Sequence, residues 1–161
     1  MLHRSWIGAF VLIGLAVVTA GVNAAERSKL IGVWNLDVSK LPLPPGGIPP
    51  RSVTLRVADV GGGKWQTTID TVNADGTKLH AESSYSLDGV PAPVTGAMDA
   101  DTVSVTCPDA DTLVMGAGKR GALATVRVFT VSADGKHQTE TIVALGQNGK
   151  PTTRTNSWTR G

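Results

Sequence analysis

This sequence is poor in the residues from which most recognisable sites are built. Cys107 is the only cysteine in 161 residues, which excludes an internal disulfide and any cysteine-based metal centre. Its simplest role is that of a small buried residue. Aromatic residues make up only 4% of the chain. Charge is scarce and balanced, 15 Lys and Arg against 13 Asp and Glu, and no basic run is interleaved with aromatics. That composition argues against a nucleic-acid partner. No Gly-x-Ser-x-Gly occurs. Gly61-Gly62-Gly63 lacks the Lys-Ser/Thr pair and the following helix of a phosphate loop, so it reads as a turn. Long apolar runs are absent except at the start.

That exception is Trp6–Val18, preceded by His3 and Arg4 and followed by Val22-Asn23-Ala24. The run is shorter than the ~20 residues that span a bilayer and carries the layout of a secretory leader. Residues 1–24 are therefore expected to be a signal peptide, cleaved near Ala24. Residues 25–161 are expected to form one periplasmic or secreted domain without stable membrane insertion. This length suffices for a single core.

Past the leader, alternation dominates. Leu30–Val38 sets Leu30, Trp34, Leu36 and Val38 on one face, with Gly32 between them and Asn35 and Asp37 on the other. This is the period of a half-buried strand. Residues 39–50 contain five prolines, which forbid a helix and remove backbone donors. They form an extended connection, either a passive crossover or a lid over one end of the fold. Strands with alternating faces follow over 51–60, 64–72 and 77–87. Val90–Thr95, interrupted by Pro91 and Pro93, reads as an edge or irregular piece. Further strands follow over 102–107, 112–118, 122–132, 136–145 and 151–160, separated by Gly- and Asp-rich turns. No stretch has the i, i+3, i+4 apolar spacing of a helix.

Tight hairpins in series build an up-and-down antiparallel meander. Eight to ten strands would expose two edges unless the sheet curls and its last strand meets its first. The expected fold is an all-β barrel with Gly32–Trp34 beside Thr152–Arg160. A two-sheet β-sandwich is the alternative.

Gly32-Val33-Trp34, preceded by Leu30-Ile31, resembles the Gly-x-Trp signature of lipocalins and related calycin barrels. The resemblance implies that a basic residue of the last strand packs over Trp34 and closes the barrel. Arg160 is the match, with Arg154 as the fallback. The whole of 25–161 is also similar to small exported bacterial lipocalin-like proteins that open with Leu-Ile-Gly-x-Trp-x-Leu-Asn/Asp. They are largely uncharacterised, so the resemblance implies a fold and no reaction. The proline-rich connection departs from the loop many lipocalins have there.

Candidate chemistry is thin. His80 and Glu82 share a strand face, with Asp70 on the neighbouring strand. The group could serve as a general base or a metal site, but its Lys-, Thr- and Ser-rich face reads as solvated. An enzyme would need His80 turned inward. Asp99, Asp101, Asp109 and Asp111 could bind calcium, though Asp more commonly caps turns. No catalytic residue, metal ligand or cofactor is assigned. The remaining candidate is the barrel interior, where Trp65, Ile69, Leu79, Tyr85, Val105, Met115 and Phe129 are the larger apolar groups. Phe129 competes with Val126 and Val128 for the inside. If the small residues around them leave room, they line a pocket of about 300 Å3 or more for a small apolar or amphipathic molecule. The expected function is then a monomeric, non-enzymatic binding protein. The alternative is a solid β-domain acting as an envelope structural or interaction module.

Overall fold

The structure, a computed structural model, describes residues 28–161 apart from Met98 and Gln147; the leader expected over 1–24 lies outside them. Among the described residues no helix is long and apolar enough to cross a membrane. Eleven antiparallel strands form one sheet that curls into a nearly closed barrel. They are β1 (Gly32–Leu36), β2 (Ser52–Gly61), β3 (Lys64–Val72), β4 (Lys78–Ser86), β5 (Ala92–Pro93), β6 (Thr95–Gly96), β7 (Thr102–Asp109), β8 (Thr112–Lys119), β9 (Ala122–Val131), β10 (His137–Leu145) and β11 (Pro151–Arg160). The first strand is shorter than its alternation suggests: Leu30 precedes it, and Val38–Lys40 is a 3-10 turn stabilised by the Lys40–Asp37 ion pair.

The sheet order is β5-β7-β8-β9-β10-β11-β1-β2-β3-β4-β6. The first and last strands do meet, with Trp34 opposite Arg160 and Leu36 opposite Trp158. That pairing lies mid-sheet, and the seam falls instead between β4 and β7. The cause is the proline pair. Pro91 and Pro93 lack the N–H a central strand requires, so this segment splits into two stubs, one on each edge. β5 pairs with β7 and β6 with β4. Side-chain and loop bonds sew the seam: Ser83 Oγ donates to the Pro93 carbonyl at 2.8 Å, and the Ala97 N–H to the His80 carbonyl at 2.8 Å.

Because side chains alternate along every strand, the register fixes the interior in rows. Trp34, Leu55, Ile69 and Ala81 are one continuous row across four strands. Trp65 faces Tyr85, and Leu113 faces Phe129. Trp34 is fully buried, and Tyr85, Val105 and Leu30 are each at most 1% exposed. Phe129 and Val131 take the inside of β9; Val126 and Val128 belong to the opposite face.

Candidate functional site

The two ends of the barrel differ. At one end Leu30 plugs the interior, and its carbonyl accepts the Trp34 indole N–H at 3.0 Å. The Arg160 guanidinium lies over the Trp34 ring, 4.3 Å from its centroid, a cation–π contact. The same side chain donates to the carbonyls of Ile31, Lys29 and Gly135. Lys29 is tied to Asp111 at 3.1 Å. Gly32 has φ +144°, and a Cβ there would collide with Arg160 Nη1. Gly32, Trp34 and Arg160 thus form one clamp that holds residues 28–31 across this end. Arg154 is remote from it.

At the other end, where β1 leaves and β2 enters, the barrel opens as a cup of about 130 Å3. Register builds its floor from three neighbouring strands. Arg127, Ile142 and Arg154 form one inward row across β9, β10 and β11, and Phe129, Glu140 and Asn156 the row beneath. Glu140 is 1% exposed. A carboxylate so buried must be paired and hydrogen-bonded. Its Oε1 accepts from Arg127 Nη1 at 2.8 Å, and its Oε2 from Asn156 Nδ2 at 2.8 Å and Trp158 Nε1 at 3.2 Å. Two buried atoms at this site have no partner, the Arg127 Nε donor and the Asn156 Oδ1 acceptor. Apolar walls come from Leu36, Val53, Ile69 and Ile142. Arg154 stands exposed at the mouth, and no carboxylate among the described residues pairs with it. The proline-rich connection starts and ends at this rim, and most of it is exposed.

No protein-family model and no curated protein matches the chain.

The apolar interior differs from the expectation of a roomy pocket. Trp65, Tyr85, Val105, Met115 and Phe129 are buried in one hydrophobic cluster, with Ile69 packed against it. Two voids among these groups measure about 20 Å3 and 10 Å3, room for hardly more than a water. Thr67 helps fill the space by bonding the Tyr85 hydroxyl, and burial pushes that phenol up to about 12. Leu79, at the start of β4, points inward and is half-buried. Of the seven apolar candidates only Ile69 and Phe129 reach the cup; Arg127, Glu140, Arg154, Asn156 and Trp158 complete it.

His80 is on the outer face, its side chain 56% exposed, with Nδ1 2.7 Å from Asp70 and Nε2 3.9 Å from Glu82. The hydrogen bond to Asp70 raises the imidazole above its ordinary value. The aspartates of the β6–β7 and β7–β8 connections act in turns and ion pairs. Asp101 accepts the Arg120 N–H at 2.7 Å and pairs with Lys119, which hold its carboxyl below the usual range. Asp109 accepts the Asp111 N–H at 2.9 Å, and Asp99 lies 3.9 Å from Lys119. No group of three metal-ligating side chains gathers among the described residues. Cys107 is half-buried, and desolvation, then Asp109, pushes its thiol up to about 11.

Proposed function

We propose that this protein is an exported, monomeric, non-enzymatic carrier of lipocalin-like kinship, holding a small amphipathic molecule in the cup at the open end of its barrel. One observation carries the reading: a concavity with apolar walls and a few convergent polar groups, two of them buried without a partner. This is the usual composition of a small-molecule site, and native structures seldom leave such groups unsatisfied. The Gly32–Trp34–Arg160 clamp supports the kinship, because it is the arrangement the Gly-x-Trp resemblance implies. The leader expected over 1–24 from its sequence is the ground for a periplasmic or secreted location. The tight apolar interior favours a second reading, a solid β-domain serving as an envelope interaction module. An outer groove of about 340 Å3 floored by Gly116 and Gly118, with exposed Leu123 at its side, is where a partner would then sit.

Native mass spectrometry of the protein purified from its own host without detergent separates the two. The carrier reading expects a discrete added mass that is lost on denaturation. A clean apo mass, followed by no binding from a soak with small organic acids and apolar metabolites, would overturn it in favour of the module.

A further inference from the structure

Resting on the carrier reading, the geometry points to a small organic anion as the ligand of the cup: a carboxylate on a compact apolar body about the size of one ring. Size comes first. About 130 Å3 is close to an engineered apolar cavity of about 150 Å3 that admits benzene, so a long acyl chain would project through the mouth.

Charge decides the rest. Arg127 and Arg154 occupy the same inward row on either side of Ile142. With strands spaced about 4.8 Å apart, their backbones are separated by about 10 Å. Only one carboxylate, Glu140, lines the cup with them. It pairs with Arg127, which leaves Arg154 uncompensated and the cup one positive charge in excess. A cationic ligand meets an excess of positive charge, and both oxygens of Glu140 already accept donors from the protein. A carboxylate supplies what the walls lack, a counter-charge for the Arg154 guanidinium. A guanidinium presents a planar donor fork that matches a carboxylate. The apolar body would then rest against Ile69 and Phe129.

The test is a titration of the protein at low salt with benzoate, benzamide and benzylamine, three probes that share a ring and differ in charge. The readout is the indole N–H resonance of Trp158, which lines the cup. Benzoate is expected to bind about tenfold more tightly than benzamide, and benzylamine most weakly. Added salt weakens benzoate alone. Arg154→Gln brings benzoate down to the level of benzamide, and a Trp158 indole resonance at its wild-type position in the ligand-free variant shows that the cup is intact. Benzamide binding as tightly as benzoate, tighter binding of benzylamine, or an unaltered benzoate affinity in R154Q would overturn the anion assignment while leaving a carrier standing. If none of the three moves the Trp158 resonance at millimolar concentration, the carrier reading of the cup falls with it.

Discussion

Replacing Glu140 by leucine tests the reasoning about the cup floor. The side chain is 1% exposed and accepts three donors, from Arg127, Asn156 and Trp158. Leucine has similar bulk but accepts none of them. Removing one partner of a buried ion pair costs about 3–5 kcal/mol, because the other charge is left uncompensated. The Arg127 side chain is 22% exposed and retains some water, which places the expected loss near the lower limit, about 3 kcal/mol. For a domain of this size that corresponds to a fall in Tm of roughly 12 °C. Urea unfolding followed by tryptophan fluorescence measures it as a lower midpoint at unchanged slope. The decisive variant is the double replacement Glu140→Leu with Arg127→Met. An apolar pair of matching volume relieves the stranded guanidinium, so the double variant should be at least as stable as Glu140→Leu alone. If the two losses simply add, Glu140 and Arg127 are not the coupled pair described above.

Trp34→Ala removes a fully buried indole, its bond to Leu30 and its contact with Arg160, and should cost about 3–5 kcal/mol in the same assay; a loss under about 1 kcal/mol would remove the clamp from the account. The His80 imidazole should titrate above pH 6.5 by NMR because Asp70 holds its proton, and Asp70→Asn should bring it down. The raised value means that any stability it contributes is present below the unfolded value and lost as pH rises through the folded one; a His80 titration unmoved by D70N would refute the pairing. Cys107, with its thiol at about 11, should react with iodoacetamide at pH 8 roughly a hundredfold more slowly than a free cysteine, and rapidly once the protein is unfolded; fast labelling of the folded protein would contradict its half-buried position.

Much of the fold was legible because the long strands alternate cleanly. In β2, Val53, Leu55 and Val57 leave no doubt about the inner face, and Asn73–Gly76 marks the β3–β4 hairpin through Asp75, whose carboxylate accepts the Thr77 N–H at 2.8 Å. The cup was hidden where alternation fails. β10 carries Ile142 and Ala144 on one face and Val143 and Leu145 on the other, so hydropathy cannot choose between them. Glu140 then reads as a solvated residue, whereas Leu145 is the one 70% exposed. β9 has the same ambiguity, Phe129 and Val131 against Val126 and Val128, and it concealed Arg127. The usable signal was joint parity: Phe129 and Trp158 are aromatic anchors for the inside, and stepping back from them by twos brings in Arg127, Asn156 and Arg154. Only the pairing of β9, β10 and β11 places Glu140 among them. The seam was half visible, since the prolines announce an interruption but not which two edges it joins.

The clamp at the closed end also bears on how the chain reaches its native state. Arg160 reaches back to the carbonyls of Ile31 and Lys29, partners 129 and 131 residues away along the chain. Loop-closure entropy must be overcome before contacts of that span contribute, so topologies rich in them fold slowly. The hairpins from β2 to β4 and from β7 to β11 can form as soon as their own residues are available. β1 has no second neighbour until β11 is available. Pairing of β1 with β11 is therefore the last event, and until then Trp34 and the edge of β11 are open to wrong partners.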